Sequence, residues 1–331
     1  MLTKLPALSS LPALEGAPIS KGTRVLLRLC MNVPMDGERI TDDFRLIKVL
    51  PTLKYLLERG AKVTIISHFG SDGSQSLVPI EKYLREHCLG DYKVLPNLRL
   101  SPGEKENDDA FTRELAEDQD VYVNEDFPAA HREHASIVGV PKFLPSFVGL
   151  QFEQEVEHLS RFLNPAAPCV VVLGGAKLAT KLPMINAFLP KADKIFLGSF
   201  FATVADEVPK NTKVILPADV VKQDGVIVDS GPEALAAMIG AVNKAKSVIW
   251  NGPIGKFEDG FDKTTNALAQ AIAANSNAET VVGGGDSIAA IKAINIMDKF
   301  GFVSTGGGAM LDFLAHGTLP GIDAIINSPF D

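Results

Sequence analysis

The sequence predicts an α/β protein with two domains, each a doubly wound parallel sheet of the Rossmann-like type. Short apolar runs alternate with longer helical patterns, which is typical of a parallel sheet covered by helices on both faces. The 331 residues exceed what one core usually holds, so two domains of roughly 150 residues each are expected. Several of the apolar runs end in glycine-rich turns that open helices, as in strand-turn-helix units.

The clearest strands are short apolar runs with few polar interruptions. They are Arg24 to Leu29, Lys62 to Ile66, Val121 to Asn124, Cys169 to Leu173, Lys194 to Leu197, Lys213 to Leu216 and Ser247 to Ile249. Between the first two, apolar residues from Leu46 to Leu57 recur at steps of three and four, which predicts an amphipathic helix. Gly60 is the expected C-terminal cap of that helix.

A second helical pattern, Gln151 to Leu163, has its apolar residues on one side and ends at Asn164-Pro165 just before a new strand. The domain junction is expected there. The prediction is an N-terminal domain over 1–150, a hinge helix over 151–166, a C-terminal domain over 167–315, and a tail over 316–331 that returns to the first domain.

Composition limits the classes of partner. With 40 acidic and 32 basic side chains the net charge is −8, which argues against nucleic acid or an anionic membrane. Cys30, Cys88 and Cys169 form no C-x-x-C pair, which argues against disulfides or zinc and favours a reducing cytoplasm. The stretch Met1 to Ser20 is broken by prolines, and no apolar run reaches the ~18 residues of a membrane helix. A cytoplasmic protein is expected.

Glycine-rich turns after strands in the second half predict a polyphosphate site. The turns are Trp250 to Gly255, Gly283 to Ser287, Ser304 to Gly308 and Gly174 to Lys177. Glycine lets the backbone approach a ligand closely, and free amides at a helix start attract anions. Lys181 lies one helical turn beyond Lys177, so both lysines are expected on one face. A single such turn is more often only structural, but several together favour phosphate binding.

In the first half the strands are followed by cationic side chains. Arg45 follows the helix start at Asp42-Asp43, His68 follows the strand that ends at Ser67, and Arg99 follows Leu95-Pro96-Asn97-Leu98. Arg132 lies between His131 and His134, after the strand that ends at Asn124. In an open parallel sheet, ligands bind beyond the carboxyl ends of the strands. Each arginine could also be a solvated surface charge, and His131 or His134 could be a helix cap. Together, in an acidic protein, they predict a pocket for a small phosphorylated acid.

A series of short motifs runs in order along nearly the whole chain. They are Arg28 to Pro34, Ile40 to Arg45, Ser67 to Gly70, Asn97 to Arg99, Ala130 to Ser136, Gly174 to Lys181, Trp250 to Pro253, Gly283 to Ser287 and Ser304 to Gly308. In this order they resemble the phosphoglycerate kinase family. The resemblance implies two doubly wound domains facing across a cleft and joined by a hinge helix. It also implies a monomer that transfers a phosphoryl group reversibly between 1,3-bisphosphoglycerate and ADP, giving 3-phosphoglycerate and ATP with Mg²⁺.

By this resemblance each candidate site residue takes a role. The acid-substrate positions are Asn32, Arg45, His68, Arg99 and Arg132. The nucleotide positions are Gly175, Lys177, Lys181, Gly198, Asn251, Glu258, Gly284, Gly285, Asp286 and Ser287, with Asp286 for the metal and Glu258 for the ribose. Arg45 and Lys181 are the candidates for the charge that surrounds the transferring group, because phosphoryl transfer requires positioning and positive charge.

The sequence departs from the family pattern in both halves. Cys30 stands where the family has an aspartate, and Ser71 where it has an arginine. Each lost hydrogen bond to a charged group costs on the order of 1.5 to 3 kcal/mol, so restoring both residues is expected to tighten substrate binding. The chain is also short after Thr203 and around Asp229, near the expected adenine pocket.

Three hypotheses remain at this point. The first is a working phosphoglycerate kinase, and the second is a degenerate relative that binds nucleotide or phosphate with weak or altered activity toward the acid. The third is a dinucleotide-dependent dehydrogenase, which is disfavoured because no G-x-G-x-x-G opens a helix after an early strand. The presence of Arg45, Lys181, Asn251 and Asp286 together favours the first.

Overall fold

The computed structural model describes residues 10 to 330, so the first nine residues of the proline-broken N-terminal stretch lie outside the described residues. The described chain divides into two compact units. The first unit contains the residues up to Glu157 and those from Thr318 onward, and the second contains His158–Gly317.

The first unit is built on a parallel sheet. Its strands, with one short antiparallel pair (β2 and β3), are β1 (Arg24–Leu29), β2 (Met35–Asp36), β3 (Arg39–Ile40), β4 (Lys62–Ile66), β5 (Tyr92–Val94), β6 (Val121–Glu125) and β7 (Ser146–Val148). The helices are α1 (Phe44–Glu58), α2 (Val78–His87), α3 (Pro102–Glu106), α4 (Asp109–Ala116) and α5 (Leu150–Ser160). The sheet order is β5-β4-β1-β6-β7, and every neighbouring pair is parallel.

Both faces of this sheet are buried, as expected for parallel strands covered on two sides. Along β1, Val25 and Leu27 belong to one apolar core, while Leu26 belongs to a second core. This alternation arises because successive side chains of a strand point to opposite faces. The apolar side chains of β1 therefore pack into the cores on both faces of the sheet.

The second unit contains a six-stranded parallel sheet and one hairpin. Its strands are β8 (Cys169–Leu173), β9 (Lys194–Leu197), β10 (Val214–Ile215), the hairpin β11 (Val220–Gln223) and β12 (Val226–Ser230), β13 (Ser247–Asn251), β14 (Glu279–Gly283) and β15 (Phe302–Ser304). The helices are α6 (Leu178–Phe188), α7 (Pro232–Val242), α8 (Lys263–Ala274), α9 (Gly285–Ala293) and α10 (Gly307–His316). The order β10-β9-β8-β13-β14-β15 is parallel throughout. The predicted α/β class with doubly wound parallel sheets is confirmed.

The final helix, α11 (Pro320–Ile326), belongs to the first unit. Its Gly321 amide donates to the carbonyl of Ala130 at 2.8 Å, and Ser328 just beyond it donates to the carbonyl of Pro141 at 2.9 Å. The division between the units falls inside α5. The domain boundaries given above stay a prediction.

Residue type explains where α1 ends and why β10 is shorter than predicted. The α1 helix ends in a Schellman motif in which the Gly60 amide donates to Leu57 and the Ala61 amide donates to Leu56. Gly60 has φ +74°, a conformation that glycine adopts without strain. The run Lys213 to Leu216 was predicted as a longer strand, but only Val214–Ile215 pairs, and only with β9 at the sheet edge. Pro217 directly follows this run and cannot donate to a ladder.

Among the described residues, no single helix is long and apolar enough to cross a membrane, although α10 and α11 together pass the length and composition test as a bent pair.

Candidate active site

Four glycine-rich turns lie side by side in the second unit. They follow β8, β13, β14 and β15, which are consecutive neighbours in the sheet. Because parallel strands end at the same edge, the turns meet there. The helices α6, α9 and α10 begin at three of these turns, and none has a side-chain hydrogen bond at its N-cap. Their first amides are therefore available to an anion.

Glycine is required where these turns touch one another. Gly252 has φ +91°, and a Cβ there would lie 2.6 Å from Nζ of Lys181. A Cβ at Gly307 would lie 2.7 Å from Cα of Gly284, which itself has φ +99°. Larger residues would force the turns apart. The glycines thus keep the turns packed and keep room for Lys181.

Lys181 is the buried cation of this edge, with 8% of its surface exposed. Its ammonium donates to the carbonyl of Gly174. Burial lowers the pKa of Lys181 to about 8, the Asp286 carboxylate opposes this effect, and Lys177 adds to it. The predicted lysine pair therefore consists of one buried ammonium and one exposed ammonium, Lys177, at the N-cap of α6.

Asn251 and Ser287 hold the turns together in this structure. The Asn251 amide donates to the carbonyl of Gly307 at 3.0 Å, and the Gly252 amide donates to the Ser287 hydroxyl at 2.8 Å. Gly198 lies against the same turns, since a Cβ there would be 3.0 Å from Cα of Gly174. These contacts place the predicted nucleotide residues of the turns at one edge of the sheet.

Two exposed carboxylates, Glu258 and Asp286, lie near the glycine-rich turns. The pKa of Glu258 is raised, first by the charge of Asp286. The two groups are therefore close enough to repel each other. Gly285, next to Asp286, has open space around its Cα. Such oxygen donors suit Mg²⁺, which proteins usually bind through one or two carboxylates together with substrate phosphates.

The cationic residues of the first unit also come together, at the carboxyl ends of β1, β4 and β6. His68 is buried with 4% exposure, and burial lowers its pKa, followed by the charges of Arg28, Arg99, Arg132 and His134. Burial and the same arginines lower the pKa of His134 to about 4. The arginines and histidines therefore lie close enough for their charges to interact, and we call this cluster of cations the acid pocket.

Arg45 and Asn32 form the neighbouring wall of this pocket. Arg45 donates to the backbone carbonyl of Asn32 at 2.8 Å, and the Asn32 side chain accepts from the Gly70 amide at 3.2 Å. Arg99 donates to the carbonyl of Ser71 at 2.9 Å. Lys105, which sequence reasoning did not single out, donates to the same carbonyl at 2.6 Å. The loop at Ser71 is therefore bound by two cations.

Sequence reasoning also missed a buried ion pair beneath the pocket. Arg28 and Asp126 are both completely buried, and Nη1 of Arg28 lies 2.7 Å from Oδ2 of Asp126. Asp126 directly follows β6 and lies 3.7 Å from His68. A charged residue inside the apolar run of β1 was the available signal, because buried charges need partners.

The chain is similar to known proteins over nearly its whole length. The phosphoglycerate kinase family model matches residues 18–94, 80–205 and 200–317 of this chain. The phosphoglycerate kinase of Thermus thermophilus is 36% identical over 379 aligned positions, which cover 92% of this chain and 97% of the relative. That of Orientia tsutsugamushi is 35% identical over 387 positions, with 93% and 96% covered. Both alignments are longer than the 331 residues of this chain, so the relatives carry internal segments that it lacks.

Solved structures of the family are similar as well. Phosphoglycerate kinase from Pyrococcus horikoshii has a TM-score of 0.84 at 28% identity, and that from Coxiella burnetii has 0.78 at 31%. Each match covers 95% of this chain and 98% of the other. Two parallel α/β units, one with glycine-lined turns and one with a cationic pocket, are the architecture of a nucleotide-dependent phosphotransferase.

The chain belongs to the phosphoglycerate kinase family. It is accordingly a kinase of glycolysis that acts on small molecules and has ATP or ADP as co-substrate. The resemblance read from the short motifs is confirmed.

Proposed function

We propose that this chain transfers a phosphoryl group reversibly from the acyl phosphate of 1,3-bisphosphoglycerate to ADP, giving 3-phosphoglycerate and ATP. In the reverse direction the acceptor is the carboxyl group of 3-phosphoglycerate. The observation that carries the proposal is the combination of family membership with two separate anion pockets, one cationic and one lined by glycine turns.

The acid substrate is assigned to the first unit. Its phosphate and carboxylate are strong acceptors, and arginine binds such groups with paired, charge-assisted hydrogen bonds. Arg99 and Arg132 supply cations, His68 supplies a ring N–H, and Asn32 supplies an amide. Arg45, at the neighbouring wall, is proposed to face the group that is transferred.

The nucleotide is assigned to the second unit. The uncapped starts of α6, α9 and α10 present amides to its phosphates, and Lys177 and Lys181 neutralise them. Asn251, Gly175, Gly198, Gly284, Gly285 and Ser287 shape the pocket. Glu258 is proposed to bind the ribose hydroxyls as an acceptor.

Asp286 is proposed to hold Mg²⁺, since its exposed carboxylate stands at a helix start beside a second carboxylate. When bound, the ion would offset negative charge on the phosphate oxygens and relieve the repulsion between Asp286 and Glu258. Arg45 and Lys181 are the proposed catalytic cations, because charge develops on the oxygens of the transferring group.

A reducing cytoplasm and a monomeric state complete the proposal. The three cysteines are buried with free thiols, which suits a reducing compartment. Size-exclusion chromatography with light scattering would test the monomer, for which one peak near 35.4 kDa is expected.

The proposal is tested by a coupled assay with ATP, MgCl₂ and 3-phosphoglycerate, in which the 1,3-bisphosphoglycerate formed is reduced by an added dehydrogenase. Turnover that needs all three components is expected, and Arg45→Ala should lower it by about 10² or more. The degenerate-relative hypothesis predicts ATP binding by calorimetry without turnover at millimolar acid. That outcome would reject the proposed reaction, and assays with other phosphorylated acids would then identify the acceptor.

A further inference from the structure

We infer that the buried Arg28, held by Asp126, is a positioning residue that fixes His68 as a neutral ring with its proton on Nε2. His68 then meets the acid substrate as a hydrogen-bond donor. This inference deepens the proposed function and rests on its assignment of His68 to the acid pocket.

Each nitrogen of the Arg28 guanidinium has a partner, so the group is fixed in place. Nε donates to the Ser136 hydroxyl at 2.9 Å, and Nη1 donates to the Leu29 carbonyl at 3.1 Å. Nη1 also lies 2.7 Å from Oδ2 of Asp126. The Ser136 hydroxyl in turn donates to Glu104 at 2.7 Å, and Glu104 is itself completely buried. The remaining nitrogen, Nη2, lies 2.7 Å from Nδ1 of His68.

That last contact decides the protonation state of His68. A guanidinium has only donors and is always charged in proteins, so Nδ1 of His68 must be the acceptor. An imidazole that accepts at Nδ1 carries its proton on Nε2, and an imidazolium has no acceptor nitrogen. Arg28 therefore excludes both the Nδ1–H tautomer and the charged ring.

The charges around His68 act in the same direction. Arg28 from β1, Arg99 after β5, and Arg132 and His134 after β6 all disfavour a second positive charge on the ring. Asp126, at 3.7 Å from Nδ1, opposes them, but its carboxylate is already paired with Arg28. Burial adds to the effect and lowers the pKa of His68. The ring therefore stays neutral while the surrounding arginines supply the charge for the substrate.

Asp126 makes the arrangement possible by balancing the buried charge of Arg28. Nη1 of Arg28 lies within ion-pair distance of the Asp126 carboxylate, and the buried thiol of Cys30 lies next to it. A buried pair of this kind is weak evidence for added stability, because desolvation offsets much of the attraction. A role in orienting His68 explains its presence better than a stabilising role does.

The first experiment observes the parent protein directly and uses substitutions only to assign its histidine signals. Ring ¹⁵N spectra of the full-length protein should show a histidine that stays neutral from pH 5 to pH 8 with its proton on Nε2, and His68→Gln should remove that signal. His134, whose pKa is lowered to about 4, is also neutral in this range, and His134→Gln identifies its signal separately. A His68 that titrates in this range, or that carries its proton on Nδ1, would overturn the inference. Because this readout does not depend on turnover, failure of the proposed reaction would be seen separately.

The second experiment removes the pair as a unit with Arg28→Met/Asp126→Leu, since replacing both partners by apolar residues avoids an unpaired buried charge. The expected result is a mixture of His68 tautomers and a KM for 3-phosphoglycerate raised about 10-fold, with kcat and the KM for ATP little changed. In a His68→Gln background the same pair of changes should raise KM much less. Arg24→Met is the matched control, because Arg24 lies on the same strand with an exposed ion pair to Asp120. Unchanged tautomer and KM in the double variant, or an equal effect in the control, would contradict the assignment.

Discussion

The cations of the two pockets differ in how far they are removed from water. Lys181 and Arg28 are buried, whereas Arg45, Arg99 and Arg132 are only partly buried. Burial penalises an ammonium strongly, since lysine readily loses its proton in a dry site, while arginine keeps its charge. The charge state of Lys181 is therefore the one that depends on pH.

This difference predicts an alkaline limb in the activity profile. The pKa of Lys181 is lowered from 10.5 to about 8, so Lys181 is charged below pH 8 and loses its charge as the pH rises through that value. The kcat/KM for nucleotide is therefore expected to fall above about pH 8. Arginine would remain charged, so Lys181→Arg should lose this limb even if its activity is lower. An identical fall in Lys181→Arg would assign the limb to another group.

Cys30, which stands where the family has an aspartate, lies next to the Asp126 carboxylate. The thiol is buried, and burial followed by the adjacent Asp126 carboxylate raises the pKa of Cys30. An aspartate at position 30 would place a second carboxylate beside a buried one. We expect Cys30→Asp alone to destabilise the protein by about 2 to 4 kcal/mol, and Cys30→Asp/Asp126→Ala to recover most of that loss because Arg28 keeps one partner.

Urea unfolding of these variants measures the effect, with Cys30→Ser as the uncharged control. A single Cys30→Asp variant as stable as its parent would show that the two sites are not in contact. The gain in substrate binding predicted for Cys30→Asp with Ser71→Arg stays a prediction, and the structure adds the condition that Asp126 be removed.

At the scale of single residues, the candidates named above could be predicted from sequence, because they follow strands or glycine turns. The sequence offers a signal for Arg28, a charge inside an apolar strand, but not the role of Arg28 and Asp126, which depends on a contact between residues nearly 100 positions apart. Likewise, the order β4-β1-β6 that joins His68 to Asp126 follows from the sheet and is not encoded in local sequence.

Among the elements, the glycine turns depend most directly on residue type. Gly252 has φ +91° and no room for a Cβ beside Lys181. Gly252→Ala is therefore expected to strain the turn and displace the ammonium of Lys181, costing about 1 to 3 kcal/mol and weakening ATP binding at least 10-fold. Calorimetry with ATP provides the measurement. Gly225 also has a positive φ, +79°, but has open space around it, so Gly225→Ala is the matched control for backbone strain alone.

The start of α5 is fixed by a buried carboxylate. Glu125 accepts from the amides of Gln151 and Phe152 at 2.9 and 3.0 Å and from Thr52. Even so, burial raises the pKa of Glu125 from 4.5 to about 8. Between these values the folded state holds a proton that the unfolded state has released, so the free energy of unfolding falls as pH rises from about 4.5 to 8.

Glu125→Gln removes that titration. Its free energy of unfolding is expected to depend less on pH in this window, although it loses one acceptor and is less stable at pH 5. Chemical denaturation at several pH values separates the two effects, with Glu157→Gln, at an exposed position of the same helix, as control. Parallel pH curves for parent and Glu125→Gln would contradict the account.

Element prediction succeeded where the local pattern was strong. The bounds of β1, β4, β8 and β9 match the predicted apolar runs. The short edge strands β5 and β7 and the hairpin of β11 and β12 were missed, because they bury few side chains and their pairing depends on the adjacent strand. The strand β10 is shorter than predicted because it pairs only with β9 at the sheet edge and the predicted run is followed by Pro217.

For the whole molecule, we propose that each unit of the chain binds one of the two substrates and that the phosphoryl group is transferred between these substrates. Family membership and the fold of its relatives support this assignment. Sequence motifs were sufficient to recognise the family, because the residues that bind anions cluster at strand ends in a fixed order. The neighbourhood of Cys30 and Asp126 could be recognised only from the three-dimensional arrangement of the pocket.

The most direct measurement is the kcat of Arg45→Ala, Lys181→Ala and the double variant in the coupled assay, with folding of each confirmed by circular dichroism. If both cations act on the same transferring group, each single change should lower kcat by about 10² or more, and the double variant should be little worse than the poorer single variant. Losses that multiply, or a single variant with unchanged kcat, would contradict the account.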